Sequence, residues 1–380
     1  MVFFKTNSTL DIKLPDQLMF YLKTTETCQL NCDHCFTNGK NGKKGFFNVN
    51  NVKKFFNEIH DINPNQAGNI AFHGGEPMLA KVSDMMEIHD YINTILPNMW
   101  WSITTNLTYK LTDEIKMFFK HCFFKTGIGT SYDYGIRFEN QRQEDLWKEN
   151  IKWLVDEGFN VTLMVSVTND LVDKDPYEFL DFVKSLNINY LHVERITPNG
   201  NALKNTSKFP SNVALDLWFE QLWNATIKGE YYKYFSNEFF SSILTSVVQT
   251  AHSGCRCREC EQKIFTLNAD GTVGGCPNSA PENFFGHISD GFSALYTSTA
   301  RSCNINEELT RALPCWSCEV FDICNGDCHQ LKWQNIEGAV VDVPTNDDIC
   351  AAPKSLMKSI KANYDYSLYT DILGNFLGNE

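Results

Sequence analysis

Three cysteines lie close together near the start of the chain. Cys28, Cys32 and Cys35 have the spacing CxxxCxxC within the segment TTETCQLNCDHCF at residues 24–36. Three thiolates on one loop can bind three corners of a cubane [4Fe-4S] cluster, which leaves the fourth iron open for chemistry. A structural zinc site would need four ligands, usually from paired CxxC units. Disulfides are disfavoured because the spacing is tight and the chain shows no export signal.

A second motif follows the first predicted helix. Residues 69–72 (NIAF) have the composition of a short strand, and the chain continues with His73-Gly74-Gly75-Glu76-Pro77. Without Cβ atoms, the two glycines let the backbone approach a bound ligand closely, and Glu76 supplies a carboxylate beside it. A glycine pair alone predicts only a turn. The interpretation therefore depends on its position at the end of the strand that follows the cysteine loop.

Together, these motifs resemble those of the radical S-adenosylmethionine (SAM) enzymes. In that family, the amino and carboxylate groups of SAM chelate the open iron of a [4Fe-4S] cluster. Electron transfer then cleaves SAM to methionine and a 5'-deoxyadenosyl radical, which abstracts a hydrogen atom. The resemblance implies that His34, the residue before the third cysteine, lies against the adenine. It also implies that residues 74–77 bind the amino group of SAM.

Polar residues at later strand ends complete the implied SAM site. Ser131 ends the predicted strand 126–131 and Asp133 follows it, positions that the resemblance places near the SAM ribose. Arg137 and Arg142 are both candidates for a guanidinium that pairs with the SAM carboxylate, a bidentate contact that arginine makes well. The sequence does not choose between them. The implied cofactor-binding residues are His34, Gly74, Gly75, Glu76, Pro77, Asn106, Ser131, Arg137 and Arg142.

Strand-like and helix-like segments alternate over the first half of the chain, which predicts a parallel α/β sheet. Apolar residues of the first helix recur at i, i+3, i+4 and i+7, the period of one buried face; they are Val52, Phe55, Phe56 and Ile59. Trp100 and Trp101 are interpreted as core residues of the third strand. Six strands precede Gly200, at 18–23, 69–72, 99–104, 126–131, 161–167 and 190–196. This count matches the partial (β/α)6 barrel of radical SAM enzymes, with its candidate ligands at the C-terminal ends of the strands.

The C-terminal third is rich in cysteine. A predicted hairpin with its turn at Asp270-Gly271 leads to Cys276. The order of the cysteines from Cys255 to Cys350 resembles the SPASM domain of radical SAM enzymes. The resemblance implies two fully ligated auxiliary [4Fe-4S] clusters, making three in all. The first would use Cys255, Cys260, Cys276 and Cys328, with Cys257 as an alternative to Cys255, and the second Cys315, Cys318, Cys324 and Cys350. Zinc at the CxxC pairs is the competing interpretation. Cys122 and Cys303 fall outside the pattern, and Cys122 is interpreted as a buried thiol.

Composition bounds the class of protein. The 380 residues are 43% hydrophobic and 21% charged, which suits one large domain and a smaller one. A net charge of -13 argues against a nucleic-acid partner. The sequence shows no signal peptide and no bilayer-spanning apolar stretch. Its fourteen cysteines indicate metal ligation in a reducing compartment. We therefore expect a cytoplasmic protein without a membrane partner. The expected domains are an extension at 1–17, the barrel at 18–205, a helical connector at 206–250, and the SPASM region with a C-terminal helix at 251–380.

The resemblance implies an oxidoreductase that modifies peptides. The expected substrate is a ribosomally made precursor peptide, in which hydrogen abstraction leads to a C-C (cyclophane-type), thioether or ether cross-link. Candidate bases for the accompanying proton are Asp133, Glu194 and His73, all predicted near strand ends. An electron donor such as flavodoxin or ferredoxin is implied. Because some seventeen residues precede the first strand, we also expect that a separate protein could bind the leader peptide.

Two other functions are compatible with the cysteines. The chain could generate formylglycine in sulfatases, but in those members an aspartate follows the hairpin cysteine, whereas Pro277 and Asn278 follow Cys276 here. A non-catalytic iron-sulfur scaffold or sensor is the alternative from another class. The intact segment 73–77 argues against it, because a decayed SAM pocket has no reason to keep two glycines and a carboxylate together.

Overall fold

The computed structural model describes residues 12–124 and 126–377. Residues 1–11 of the expected N-terminal extension and residues 378–380 at the end of the SPASM region lie outside the described residues. Strands and helices alternate through the first half of the chain, as the sequence predicts. The strands are β1 Gln17–Thr25, β2 Ala67–Gly74, β3 Met99–Thr104, β4 Ile128–Ser131, β5 Val161–Ser166 and β6 Tyr190–Glu194. The helices are α1 Val49–Ile62, α2 Val82–Ile95, α3 Asp113–Cys122, α4 Gln141–Asp156, α5 Asn169–Val172 and α6 Pro176–Ser185.

The remaining chain is mostly helical, with short strands. Its helices are α7 Asn212–Lys228, α8 Glu238–Gln249, α9 Cys260–Lys263, α10 Phe292–Tyr296, α11 Thr299–Leu309, α12 Phe321–Cys324, α13 Lys354–Ala362 and α14 Tyr366–Leu377. Its strands are β7 Ser236–Asn237, β8 Ile264–Leu267, β9 Thr272–Gly274, β10 Gly286–His287, β11 Trp333–Gln334 and β12 Val340–Val341. None of the helices described here is both long and apolar enough to cross a bilayer.

The first six strands are parallel and adjacent in chain order, which confirms the partial (β/α)6 barrel. Among the described residues, the sheet extends further than the sequence predicts, in the order β10-β9-β8-β1-β2-β3-β4-β5-β6-β7. The predicted hairpin is present as β8 and β9, and Gly271 in its turn has φ of +89°. Because β8 pairs in parallel with β1, this hairpin of the cysteine-rich region continues the barrel sheet.

Alternation along the strands separates an apolar face from a polar one. In β1, Leu18, Phe20 and Leu22 are fully buried, and the Phe20 ring lies 4.9 Å from the Phe56 ring of α1. Successive strand residues face opposite sides, so the residues between them face the barrel interior. All four residues of the predicted α1 face are buried, as expected.

One prediction about the core is wrong. Trp101 is buried against the helices, but 52% of Trp100 is exposed. The two neighbours face opposite sides of β3, and only the side covered by α2 and α3 supplies an apolar environment. Composition favoured both tryptophans as core residues, whereas alternation permits only one.

Candidate active site

The cysteine loop begins directly after β1, at the C-terminal end of the barrel. The Cys28 amide donates to the Gly39 carbonyl at 3.2 Å, which closes the loop. Donors also face the sulfur atoms: the Leu30 amide lies 3.3 Å from Cys28 Sγ, and the Gly39 amide lies 3.1 Å from Cys35 Sγ. Such N-H groups stabilise thiolates bound to a cluster. Burial raises the pKa of Cys28 to about 11 and that of Cys32 to about 12, so a metal must displace their protons to bind.

The two glycines at the end of β2 pack against the cysteine loop itself. The Gly75 amide donates to Thr25 O at 2.8 Å, and the Glu76 amide donates to Thr27 O at 3.0 Å. A Cβ on Gly74 would lie 2.1 Å from Thr25 O, and one on Gly75 would lie 2.2 Å from Thr27 O. The glycines are therefore required by the chain's own backbone, in addition to any role in admitting a ligand.

Glu76 is buried and held by three donors. Its Oε1 accepts from Thr105 Oγ1 at 2.7 Å and from the Met78 amide at 3.0 Å, and its Oε2 accepts from the Asn106 amide at 2.8 Å. A carboxylate has about four lone-pair positions, so one remains for a further donor such as the amino group of SAM. Burial raises the pKa of Glu76 to about 7 despite these bonds. The Asn106 side chain donates to Cys28 Sγ at 3.5 Å, which joins the implied SAM site to the cluster loop.

Asp133 connects the cysteine loop to Arg137. Its Oδ2 accepts from Arg137 Nε at 2.6 Å and lies 3.5 Å from His34 Nε2, while its Oδ1 accepts from the Ser166 amide at 2.7 Å. Burial opposes ionisation of Asp133, but the Arg137 guanidinium outweighs it and lowers the pKa below its usual value. This environment makes Asp133 an anchor for Arg137 and a weak base.

The two arginines left open by the sequence have different environments. Arg137 is largely buried, and its carbonyl accepts from Cys32 Sγ at 3.8 Å. Arg142 is exposed on the first turn of α4. Ser131 ends β4, paired with Met164 of β5. The structure thus brings Arg137 to the cysteine loop and leaves Arg142 on the surface.

The barrel interior contains two residues that the sequence reasoning missed, Tyr21 and Lys23. The Tyr21 ring lies 5.5 Å from the His73 ring, and Lys23 Nζ lies 5.1 Å from the centre of the Phe36 ring. Burial lowers the pKa of Lys23 to about 8 and that of His73 to about 4. The alternation of Tyr21 and Lys23 with apolar residues of β1 was the signal that could have found them.

Two histidines of the barrel interior have a ring nitrogen positioned to contact a bound group. His34 Nδ1 and His73 Nδ1 are both buried and lack a hydrogen-bond partner in the described part of the chain. Buried polar atoms are normally paired, so each indicates a place for a bound group. Together with the donors at the cysteine sulfurs, these atoms fit a cluster and SAM at this end of the barrel.

Glu194 lies further along the same rim, at the end of β6. It borders a cavity of about 330 Å³ that Cys255 and Cys328 also line. Its side chain is 43% exposed and its Oε1 lies 3.3 Å from His192 Nε2, while His192 Nδ1 lies 2.6 Å from Glu238 Oε2. Partial burial favours the neutral form of Glu194, but the hydrogen bond from His192 outweighs it and lowers the pKa of Glu194 below its usual value. Glu194 is therefore also a weak base.

The first implied auxiliary group gathers around Cys255. Its thiol contacts those of Cys260 and Cys328, and Cys276 lies close enough to interact with it electrostatically. Cys257 interacts instead with Glu259, Lys263 and Glu308. The geometry therefore favours Cys255 over Cys257 as the fourth member.

The second implied group surrounds one cavity of about 420 Å³, whose lining includes Cys315, Cys318, Cys324 and Cys350. Arg195, the residue after β6, joins both groups to the barrel. Its guanidinium binds Asp327, next to Cys328, in a bidentate contact at 2.7 and 2.9 Å, and Nη1 donates to Ala351 O at 2.8 Å, next to Cys350. Sequence reasoning missed Arg195 because its partners lie more than 130 residues away.

One close group of candidate metal ligands lies outside the cysteine groups. Within the described residues, the only trio of candidate ligand atoms that all lie within 4.8 Å of one another is formed by His89, His121 and Cys122. Tetrahedral zinc places its sulfur ligands about 3.8 Å apart, whereas ligands on separate corners of a cubane lie further apart. No trio of the cluster cysteines meets this 4.8 Å limit among the described residues, and ligation of a cubane does not require it.

Comparisons with known proteins agree with this geometry. Residues 22–183 match the Radical SAM superfamily, and the sequence matches none of the curated proteins compared with it. The structure is similar to native anSMEcpe with bound AdoMet, with a TM-score of 0.74 and 16% identity over 94% of this chain and 100% of that one. For anSMEcpe with AdoMet and the Cp18Cys peptide, the TM-score is 0.73 with 16% identity over 95% and 99%.

A second relative is SuiB of Streptococcus suis bound to the precursor peptide SuiA. The TM-score is 0.56 with 13% identity, over 83% of this chain and 72% of that one. At these identities the structural likeness concerns the fold, and the sequence match to the superfamily covers the barrel and its cysteine loop. Residues 22–183 therefore form a radical SAM domain, and the chain as a whole has the fold of anSMEcpe.

Proposed function

We propose that this enzyme is a peptide maturase. It removes a hydrogen atom from a side chain of a ribosomally made precursor peptide and joins that side chain to a neighbouring one, through a C-C (cyclophane-type), thioether or ether bond. The observation that carries the proposal is the cavity bounded on one side by Glu194 of the barrel rim and on the other by Cys255 and Cys328. A substrate there would lie between the SAM end of the barrel and an auxiliary cluster.

The residues have distinct roles in this proposal. Cys28, Cys32 and Cys35 hold the SAM cluster, Glu76 accepts from the amino group of SAM, and Arg137 binds its carboxylate. When bound, the SAM cluster and SAM supply the hydrogen-abstracting radical, and two fully ligated auxiliary clusters supply electron transfer. His34 and His73 offer buried, unpaired nitrogen atoms to the adenine and to the substrate.

Forming a bond between two side chains requires the substrate to lose a hydrogen atom, an electron and a proton. The proton requires a base, and Lys23 suits this role better than the three candidates from the sequence. Asp133 and Glu194 have lowered pKa values, and the pKa of His73 is about 4. With a pKa of about 8, Lys23 is neutral in roughly a tenth of molecules at neutral pH and can accept a proton there.

Partners follow from the same proposal. The peptide-bound relatives support a peptide substrate, because anSMEcpe and SuiB were both solved with peptides. A flavodoxin or ferredoxin would supply the first electron, and a separate protein could present the leader of the peptide.

Formylglycine formation is the second candidate. The hairpin places Pro277 and Asn278 after Cys276, where sulfatase-maturing members have an aspartate, and Asn278 O accepts from Asn199 Nδ2 at 3.2 Å. The nearby Glu261 carboxylate accepts from the Cys276 amide through Oε1 at 3.1 Å, while its Oε2 is buried and lacks a partner in the described part of the chain. The aspartate of the sulfatase-maturing members thus has no counterpart directly after Cys276, which favours cross-linking.

The test is incubation of the anaerobically reconstituted enzyme with precursor peptides encoded beside its gene, followed by mass spectrometry. Loss of two hydrogen atoms from one peptide, with fragmentation blocked between the joined residues, is the expected result. Lys23→Met should still cleave SAM but form little product. Cys32→Ala combined with Glu76→Ala should abolish both, whereas a scaffold protein would keep its biological role in that variant. If one cysteine or serine of the peptide is instead oxidised to an aldehyde, the product is formylglycine and the cross-linking proposal is wrong.

A further inference from the structure

A separate cluster of metal-ligating side chains lies on the outer, helical side of the barrel. His89 and Asp90 belong to α2, and His121 and Cys122 end α3. One ring nitrogen of each histidine and the Cys122 sulfur all lie within 4.8 Å of one another. His89 packs against Trp101, whose side chain faces the helices, so this cluster is on the opposite face of the sheet from the barrel interior.

Both histidines face a single carboxylate oxygen. Asp90 Oδ1 lies 2.8 Å from His89 Nδ1 and 2.7 Å from His121 Nε2. A cation could replace the two ring protons that these contacts require, because the same atoms are metal ligands once deprotonated. The convergence of two ring nitrogens on one oxygen therefore resembles a coordination site more than an isolated hydrogen bond.

The inner half of the cluster is held in place by its neighbours. His89 is buried, its ring centre lies 5.1 Å from that of Trp101, and its Nε2 lies 3.0 Å from Asn93 Nδ2. Asn93 Oδ1 in turn accepts from Trp101 Nε1 at 2.8 Å, which fixes the orientation of the amide. Cys122 is also buried. The side chains of His121 and Asp90 are 47% and 57% exposed, so a metal ion can reach the cluster from solvent on their side.

We propose that His89, His121 and Cys122 bind one zinc ion, with Asp90 as the fourth ligand. Two imidazoles, one thiolate and one carboxylate form a donor set that suits tetrahedral zinc. Zinc at ordinary bond lengths separates such ligand atoms by about 3.3 to 3.6 Å, and from within 4.8 Å small side-chain rotations can bring the trio onto one ion. Binding releases the Cys122 proton to solvent and moves the displaced ring proton of each histidine to the other nitrogen of the same ring, with no change of oxidation state. The ion would tie the end of α3 to α2.

The experiment measures zinc on the reconstituted holoenzyme after treatment with a mild chelator and addition of zinc chloride alone. Wild type should retain about one zinc per chain, and zinc-edge X-ray absorption should show one sulfur among nitrogen and oxygen ligands. His121→Ala and Cys122→Ser should each lower retained zinc about tenfold while leaving iron content unchanged. Cys303→Ser is the matched control, because Cys303 is exposed on α11 and should leave zinc unchanged.

Three results would overturn the proposal. One is wild-type enzyme that retains no zinc. Another is retained zinc with four sulfur ligands, which would place the ion among the cluster cysteines. The third is His121→Ala that keeps the wild-type amount; because this side chain is exposed, a folding failure does not obscure the result.

Discussion

Replacing Gly75 with alanine is expected to displace the cysteine loop from the end of β2. The new Cβ would lie 2.2 Å from Thr27 O and 2.7 Å from Glu26 O. Both are backbone atoms, so neither can rotate away. Separating the two segments would break the hydrogen bond from Gly75 to Thr25 O at 2.8 Å and that from Glu76 to Thr27 O at 3.0 Å.

The magnitude follows from these two bonds. Each lost buried bond costs about 1 to 3 kcal/mol, so the variant should lose roughly 2 to 6 kcal/mol of unfolding free energy. Gly45 is the matched control, because a Cβ there would meet no atom within 4 Å. Gly45→Ala should change the unfolding free energy by less than about 1 kcal/mol.

Urea unfolding of the reconstituted enzyme without SAM, followed by far-ultraviolet circular dichroism, measures the difference. Gly75→Ala should unfold at a clearly lower urea concentration than Gly45→Ala, with an unchanged slope. If the two variants unfold together and Gly75→Ala only weakens SAM binding, then the glycine makes room for the ligand alone. That result would refute the packing argument.

Glu76, Arg137 and Cys255 can each be tested with a neighbour or an isostere as control. Because the pKa of Glu76 is about 7 and its ionised carboxylate accepts more strongly than the neutral acid from the N-H of the neutral SAM amino group, SAM affinity should rise by up to about tenfold from about pH 6 to about pH 8, and Glu76→Gln should remove this dependence in calorimetric titrations. Arg137→Met should weaken SAM binding at least about tenfold, and exposed Arg142→Met should not. Cys255→Ser should remove about four irons per chain, and Cys257→Ser none. A flat wild-type profile, equal effects of the two arginines or equal iron loss in the two cysteine variants would contradict these expectations.

Local patterns were sufficient for the barrel. The four apolar residues of α1 at helical spacing are buried as predicted, and the strands β1 to β6 occur in the predicted order. Thr112 caps α3 by accepting from the Ile115 amide at 3.3 Å. These features depend on side chains within a few residues of one another, which periodicity and capping rules describe.

Features set by distant contacts could not be read from the sequence. The pairing of β8 with β1 joins segments more than 200 residues apart. Cys255 and Cys257 are two residues apart and chemically identical, and only their surroundings distinguish them. Lys23 was missed because a buried lysine is rare, and its environment depends on residues from other strands.

Iron and sulfide counting is the most direct test of the central claim, that one SAM cluster and two auxiliary clusters occupy this chain. The reconstituted wild type and the triple variant Cys28→Ala, Cys32→Ala and Cys35→Ala would be compared, with 5'-deoxyadenosine assayed on both. We expect about twelve irons per chain in the wild type and about eight in the variant, together with loss of deoxyadenosine formation. A wild type with only about four irons, or a triple variant that still forms deoxyadenosine, would contradict it.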